Sequence, residues 1–179
     1  MRGSTLTGVA CCLIGLLALS ERVRASSTLF RPPAVPLITH DPYFSAWSFA
    51  DRLTDDWSKH WTGANHALCG IARIDGKPYR FMGVRPKSVP AMRQVRLQVL
   101  PTRTVYTFEA DGVELQMTFL TPALPYNLEV LSRPVTYILW QVCATDGKRH
   151  EVSLYLDASA EWAVNTTCLL YTSPSPRDS

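Results

Sequence analysis

The clearest alternation of apolar and polar residues lies next to Asp111-Gly112. Residues 113–120 read Val-Glu-Leu-Gln-Met-Thr-Phe-Leu, so every second side chain from Val113 to Phe119 is apolar. This period of two is typical of a half-buried β-strand. Residues 104–110 lead into the Asp-Gly pair, which is favoured in two-residue hairpin turns. The pattern therefore predicts a β-hairpin over residues 104–120.

Two further Asp-Gly pairs predict hairpins of the same kind. Residues 68–83 contain apolar runs on both sides of Asp75-Gly76, and residues 135–157 surround Asp146-Gly147. Within the latter, residues 135–144 are apolar on both faces, which predicts a central strand. Residues 151–157 alternate, which predicts one exposed face.

The three Asp-Gly pairs recur at intervals of about 35 residues. A structural repeat such as propeller blades would give this spacing, but the flanking sequences do not repeat in detail. Recurring hairpins in one all-β domain also explain it, and residues 95–99 alternate like a further strand. We predict an antiparallel β-sandwich, with no alternation of strands and helices that would indicate a parallel sheet.

A proline-rich lead-in precedes these strands. It spans residues 31–42 and contains four prolines, which fix φ and remove backbone donors. We expect it to be extended, largely non-helical and draped over the domain surface.

The first 25 residues have the features of a secretory signal peptide. Arg2 precedes an apolar run from Val9 to Leu19, and Val23-Arg24-Ala25 suits signal peptidase. The run is too short to cross a bilayer as a helix. We predict cleavage after Ala25 and a secreted or periplasmic protein that begins at Ser26.

The last residues resemble a translated sequencing adapter. Cys168 to Asp178 read CLLYTSPSPRD, which matches the translation of a transposase-type adapter. A natural tail rich in proline and serine is the alternative. We therefore interpret residues 168–179 as a non-native, adapter-derived tail and residues 26–167 as a truncated β-domain. The genomic reading frame is expected to continue past codon 167.

Removing both ends changes the charge and cysteine content. Residues 26–167 hold 14 of the 18 basic and 13 of the 15 acidic residues, so the domain is almost neutral. Nothing in this balance favours nucleic acid or an anionic membrane as a partner. Of the five cysteines, only Cys69 and Cys143 lie in this region. They could form a disulfide or remain two thiols on separate strands.

No strong catalytic signature, such as G-x-S-x-G, a P-loop or H-E-x-x-H, occurs in the chain. His40-Asp41, Asp55-Asp56 and the pair His60 and His66 contain metal-ligating side chains, but their spacing matches no standard pattern. We predict no metal and no cofactor. The adjacent aspartates could act as an acid and base, yet solvated loop carboxylates explain them better.

Three tryptophans are candidates for a functional surface. Trp47, Trp57 and Trp61 could stack on a sugar, line a pocket shared with a later domain, or pack in a core or an interdomain contact. Trp57 and Trp61 are four residues apart. A short helical turn would place both indoles on one face.

Four motifs in order resemble the amino-terminal region of the glutaminase A family. They are RPPAVPL (residues 31–37), PYFS (42–45), WTG (61–63) and GIARIDG (70–76). The resemblance implies secreted proteins with a β-rich domain before a helical, (α/α)-barrel-like domain. It also implies that the full-length protein hydrolyses L-glutamine to L-glutamate and ammonia. The catalytic residues would then lie downstream of residue 167, with the helical domain of the same chain as partner.

The sequence also fits a second function. A β-sandwich before an (α/α) barrel is also the plan of several glycoside hydrolases, and loops rich in aromatic residues suit sugars. Ammonia release and sugar release by a completed protein would separate the two. We expect residues 26–167 alone to be inactive. They should also be poorly soluble or only marginally stable, because the uncharged strand 135–144 favours association when exposed.

Overall fold

The computed structural model describes residues 31–164. The predicted signal peptide and the adapter-like tail lie outside the described residues. The described chain forms antiparallel strands joined by turns, with two short helices. The strands are β1 (Val35–Ile38), β2 (Ala46–Ser48), β3 (Leu68–Ile74), β4 (Lys77–Met82), β5 (Arg93–Leu100), β6 (Arg103–Ala110), β7 (Val113–Leu120), β8 (Tyr137–Ala144) and β9 (Val152–Ala158). The helices are α1 (Leu128–Leu131) and a 3-10 turn (Ala160–Ala163).

The strands form a β-sandwich, as the sequence predicts. One sheet has the order β5-β6-β7-β8 and the other β4-β3-β9, while within residues 31–164 β1 pairs only with β2. Side chains from both larger sheets and from β1 share one core. Across it the rings of Phe81 and Phe108 lie 5.9 Å apart, centroid to centroid. Alternate positions of β7 point into this core, which confirms the pattern at residues 113–119.

Two of the predicted hairpins are confirmed. β3 pairs with β4 and β6 pairs with β7. At their turns both central residues have positive φ, 49° at Asp75 and 83° at Gly76, then 42° at Asp111 and 74° at Gly112. Positive φ at both positions defines the type I′ turn, whose twist suits a two-residue hairpin.

The third predicted hairpin is wrong. β8 pairs with β7 in the four-stranded sheet, whereas β9 pairs with β3 in the other sheet. At the Asp146-Gly147 dipeptide only Gly147 has a positive φ, 75°, so the type I′ geometry is not formed. The chain instead crosses between the layers, and the apolar alternation of β9 completes the three-stranded sheet.

The prediction of a central strand at 135–144 is also wrong. In the described part of the chain, β8 is the edge of its sheet and pairs on one side only. Most of its side chains are exposed on both faces. Its apolar character therefore reflects a surface left uncovered in residues 31–164, not a position between two neighbours.

The proline-rich lead-in is extended, as predicted, but it does not drape over the surface. Val35 and Leu37 of β1 are buried in the core. The Thr104 hydroxyl of β6 donates a hydrogen bond to the Pro36 carbonyl, 2.7 Å away. The lead-in therefore covers part of the core beside β6.

The two cysteines are free thiols in different sheets, Cys69 buried on β3 and Cys143 exposed on β8. Burial, followed by the nearby Asp157 carboxylate, raises the pKa of the Cys69 thiol. No helix within residues 31–164 is long and apolar enough to span a membrane.

Gly70 marks a close contact between β3 and the core. A Cβ built on Gly70 would overlap the Phe81 ring, which is fully buried. We expect Gly70→Ala to lower the free energy of unfolding by about 1–3 kcal/mol, because the overpacked ring must move. Urea unfolding measures the loss. In a Phe81→Leu background the same change should cost less, and equal costs in the two backgrounds would contradict the steric explanation.

Candidate functional site

A groove of about 650 Å³ opens at one end of the sandwich. One wall comes from the loop between β2 and β3, and the other from the 3-10 turn that follows β9. We call it the aromatic groove. The residues that matter most for its chemistry are His60, Trp61, Asn65, His66, Glu161 and Trp162.

The loop that forms the first wall is fixed by its backbone. Lys59 makes bridges to both Trp47 and Asn65. The Ser58 hydroxyl donates to the His66 carbonyl at 2.6 Å and accepts from the Leu68 amide at 3.0 Å. The segment is therefore extended around Lys59. The predicted helical turn is wrong, because the amide of Lys59 pairs with the Trp47 carbonyl and not with an earlier residue of a helix.

Six aromatic rings form a continuous series beside the groove. Neighbouring ring centroids lie between 4.9 and 5.4 Å apart. Stacked and tilted pairs at such distances contribute about 0.5–1.5 kcal/mol each beyond their buried area. The series therefore stiffens the wall before any ligand arrives. In order, the rings are His40, Phe44, Trp162, His66, His60 and Trp61.

The two histidines of the groove use their nitrogens differently. His66 Nδ1 donates to the Ser45 carbonyl at 2.9 Å, so the neutral ring carries its lone pair on Nε2. Within residues 31–164, His66 Nε2 has no hydrogen-bond partner. His60 Nε2 donates to the Pro42 carbonyl at 2.9 Å, while its Nδ1 lies 2.8 Å from the Thr62 hydroxyl. Only His66 therefore offers a ring nitrogen to a ligand.

Both indoles of the groove are held by their N–H groups. Trp61 Nε1 donates to the Pro42 carbonyl at 2.7 Å, and Trp162 Nε1 donates to the Ala67 carbonyl at 3.0 Å. Trp61 nevertheless remains 60% exposed. Its ring is thus a positioned but uncovered apolar surface.

Comparison with known proteins addresses the origin of this domain. Residues 7–93 match a domain of unknown function, DUF4964, and residues 102–172 match another, DUF5127. Glutaminase A of Aspergillus oryzae is 35% identical over 141 residues, which cover 74% of this chain and 20% of that protein. The chain carries a glutaminase A-like N-terminal region.

A second relative extends the similarity. A protein named "Probable glutaminase" from Arthroderma benhamiae is 24% identical to the glutaminase A-like region over 157 residues, 77% of this chain and 18% of that protein. The chain thus spans about a fifth of the length of these curated relatives. No solved structure matches it.

In this glutaminase A-like region, the three tryptophans that the sequence analysis selected lie in three different environments. Trp61 lines the aromatic groove, whereas Trp57 lies against Gly83 and lines a neighbouring depression. Trp47 is half-buried, and its indole N–H is buried without a partner among residues 31–164. Sequence reasoning missed Trp162, which reaches the groove from about 100 residues further along the chain.

The charged candidates are separate from one another. Asp56 binds Lys59 at 2.6 Å and accepts from the Trp57 amide at 2.8 Å. The Lys59 hydrogen bond is the main reason that the pKa of Asp56 is lowered. Asp55 is exposed, and His40 lies against Thr136 at 3.1 Å. The described residues contain no group of three or more histidine, cysteine or acidic side chains placed to hold a metal.

The Asp-Gly turns meet in a polar cluster away from the groove. His150 Nε2 lies 2.9 Å from Asp146, and its Nδ1 lies 2.6 Å from Asp75. The bonds to Asp146 and then Asp75 raise the pKa of His150. The pKa of Asp146 is lowered chiefly by His150, and that of Asp75 by the Glu151 amide and then His150. The cluster ties the crossover between the sheets to the β3–β4 turn.

This cluster predicts a pH-dependent stability. Because folding raises the pKa of His150, protonation of His150 stabilises the folded state. This contribution is fully present below the pKa of about 6.5 in the unfolded chain, and it is lost as pH rises through the pKa in the folded chain. Because folding lowers the pKa of Asp75 and Asp146, their ionised carboxylates stabilise the folded state above the unfolded pKa of about 3.9. This contribution is lost as pH falls through the pKa values of the folded chain.

The stability lost in His150→Gln should therefore be greatest between about pH 4 and 6.5 and should shrink in alkaline buffer. Urea unfolding at several pH values measures this difference. Lys87→Gln removes an exposed cation elsewhere and serves as the control. A loss in His150→Gln that grows with rising pH would contradict the assignment.

Proposed function

We propose that this chain is the non-catalytic amino-terminal β-domain of a secreted glutaminase-like hydrolase. The parent protein would convert L-glutamine to L-glutamate and ammonia, with its catalytic residues in a helical, (α/α)-barrel-like domain after residue 167. Residues 1–25 would direct secretion. The β-domain would support that later domain through a surface that is bare in the described chain.

The observation that carries this proposal is an open side of the sandwich. Trp140 and Val142 on β8 lie opposite the buried Met117 and Leu115 of β7, and are therefore on the core-facing side of the sheet. Leu154 on β9 lies opposite the buried Ala72 of β3. These three side chains are nevertheless 37–40% exposed. We call them the open side.

An open side of this kind suits a contact with another part of the same polypeptide. β8 and β9 are both edge strands within residues 31–164, and edge strands leave backbone donors and acceptors unpaired. Apolar patches next to such edges are typical of interfaces. The glutaminase relatives are about five times longer than the matched region, so a partner of the required size exists in proteins of this kind.

The aromatic groove supports placing glutamine chemistry outside this domain. Recognition of an α-amino acid carboxylate favours an arginine or lysine. Neither residue type is among the described side chains that line the groove, which include the acidic Glu161. The described lining of the groove therefore holds no side-chain cation to bind the carboxylate of glutamine.

Activity measurements test the proposal. The polypeptide encoded by the genomic frame past codon 167 should release ammonia from L-glutamine, while residues 26–167 alone should not. Sugar release from glycosides, measured beside it, tests the glycoside hydrolase alternative. Ammonia release by residues 26–167, or a full-length product that releases sugar and no ammonia, would overturn the proposal.

A further inference from the structure

We propose that the aromatic groove binds a neutral sugar ring, with Trp61 as the stacking surface. This inference goes beyond glutamine hydrolysis, since it assigns the β-domain a ligand of its own. It rests on three properties of the groove: a fixed exposed indole, an uncharged set of hydrogen-bonding atoms beside one carboxylate, and a preformed shape.

Trp61 is placed to receive a ligand face. Its Nε1–H is already bound to the Pro42 carbonyl at 2.7 Å, so the ring edge is satisfied and the ring plane is fixed. The indole is 60% exposed despite its size, and its inner side contacts the His60 ring, which is tilted by 42° at a centroid distance of 5.1 Å. A rigid, amphipathic ring of this type can cover the C–H face of a pyranose at little cost in side-chain entropy.

The polar atoms near Trp61 match sugar hydroxyl groups. His66 presents Nε2 as an acceptor, because Nδ1 donates to the Ser45 carbonyl. Asn65 offers an amide that both donates and accepts, and Glu161 offers carboxylate oxygens. A hydroxyl both donates and accepts, so it can pair with each of these groups. The carboxylate, without lysine or arginine in the described lining, disfavours anionic ligands.

The shape of the groove fits the same class of ligand. Its volume of about 650 Å³ lies within the usual range of small-molecule sites, about 300–1,000 Å³. Its two walls are joined by the contact between the rings of His66 and Trp162, whose centroids are 4.9 Å apart. Trp162 is also tied to Ala67. The site therefore exists before the ligand binds, which lowers the ordering cost of binding.

Isothermal titration calorimetry on the product of the full genomic frame tests this assignment. The probes are cellotetraose, maltotetraose and mannotetraose, with L-glutamine as a competitor. At least one of the three oligosaccharides should bind. Trp61→Ala should weaken that binding about tenfold or more, as expected for the loss of a central aromatic contact.

Two further variants separate binding in the groove from general effects. His66→Phe keeps a ring against Trp162 but removes the Nε2 acceptor, and it should also weaken binding. Tyr126→Ala removes a fully exposed aromatic side chain that does not line the groove, and it should leave binding unchanged. The proposal is overturned if no oligosaccharide binds. Equal weakening by Tyr126→Ala and Trp61→Ala, or displacement of the sugar by L-glutamine, would also overturn it.

Discussion

Replacing Phe81 with alanine is expected to lower the free energy of unfolding by about 3–5 kcal/mol. The ring is completely buried, faces Phe108 across the two sheets and fills the space above Gly70. Neither sheet can move inward without disturbing the other, so a cavity should remain. A domain of this size has a total stability of about 5–15 kcal/mol, and the variant should therefore lose a large fraction of it.

Urea or thermal unfolding followed by circular dichroism measures this loss. Tyr126→Ala provides the control, because Tyr126 is a large aromatic residue that is fully exposed. Its removal should change the stability by no more than about 0.5 kcal/mol. A Phe81→Ala variant as stable as the Tyr126→Ala variant would show that the two sheets do not share the core described above.

Placing charges on β8 is expected to weaken self-association of residues 26–167 strongly. Leu139 and Val142 are about half exposed, lie on opposite faces of the edge strand and have no charged neighbour within β8. Two such strands can pair edge to edge and cover each other's apolar side chains. Leu139→Lys with Val142→Lys should raise the dissociation constant of the associated form about a hundredfold, equivalent to about 2.8 kcal/mol.

Sedimentation velocity over a range of concentrations measures this change. The matched control is Leu124→Lys with Leu128→Lys, which adds the same two charges at exposed positions outside the sheets. If both pairs of substitutions reduce association equally, net charge and not the β8 edge is responsible. If residues 26–167 without substitutions are monomeric at all concentrations, the prediction is contradicted directly.

Local sequence signals predicted the strands better than their partners. The Asp-Gly pairs at residues 75 and 111 formed type I′ turns, because the adjoining strands pair with each other. The same dipeptide at residue 146 did not form this turn, because the strands on its two sides join different sheets. β8 pairs with β7, and β9 pairs with β3. A dipeptide indicates that the chain turns, but it does not determine which strand comes next to it.

The aromatic groove was harder to predict, because it also depends on contacts between residues that are far apart in the sequence. Its two walls are brought together by contacts between residues about 100 positions apart, such as Trp162 with His66. His60 and His66 were considered together as metal ligands, and this was set aside because their spacing matches no standard pattern. Sequence spacing does not show that the Pro42 carbonyl accepts from His60 and the Ser45 carbonyl from His66. The exposed Trp61 was the one tryptophan of the predicted three that lies in the groove.

The polar cluster shows how the two sheets are joined at the other end. His150 lies between Asp146, next to the crossover, and Asp75, in the β3–β4 turn. Lys77 and Tyr79 of β4 bind Asp111 of the β6–β7 turn at 3.2 and 2.6 Å. These bonds link turns from both layers, so polar contacts hold this end of the sandwich together.

Hydrogen–deuterium exchange of β8 tests the central proposal most directly. It should be measured by mass spectrometry on residues 26–167, at a concentration where sedimentation shows only monomer, and on the product of the full genomic frame. We expect rapid exchange of the unpaired β8 amides in the short chain and strong protection in the long one, while β6, which is paired on both sides, is protected in both. Equally rapid exchange of β8 in the two proteins would show that the later domain does not cover the open side.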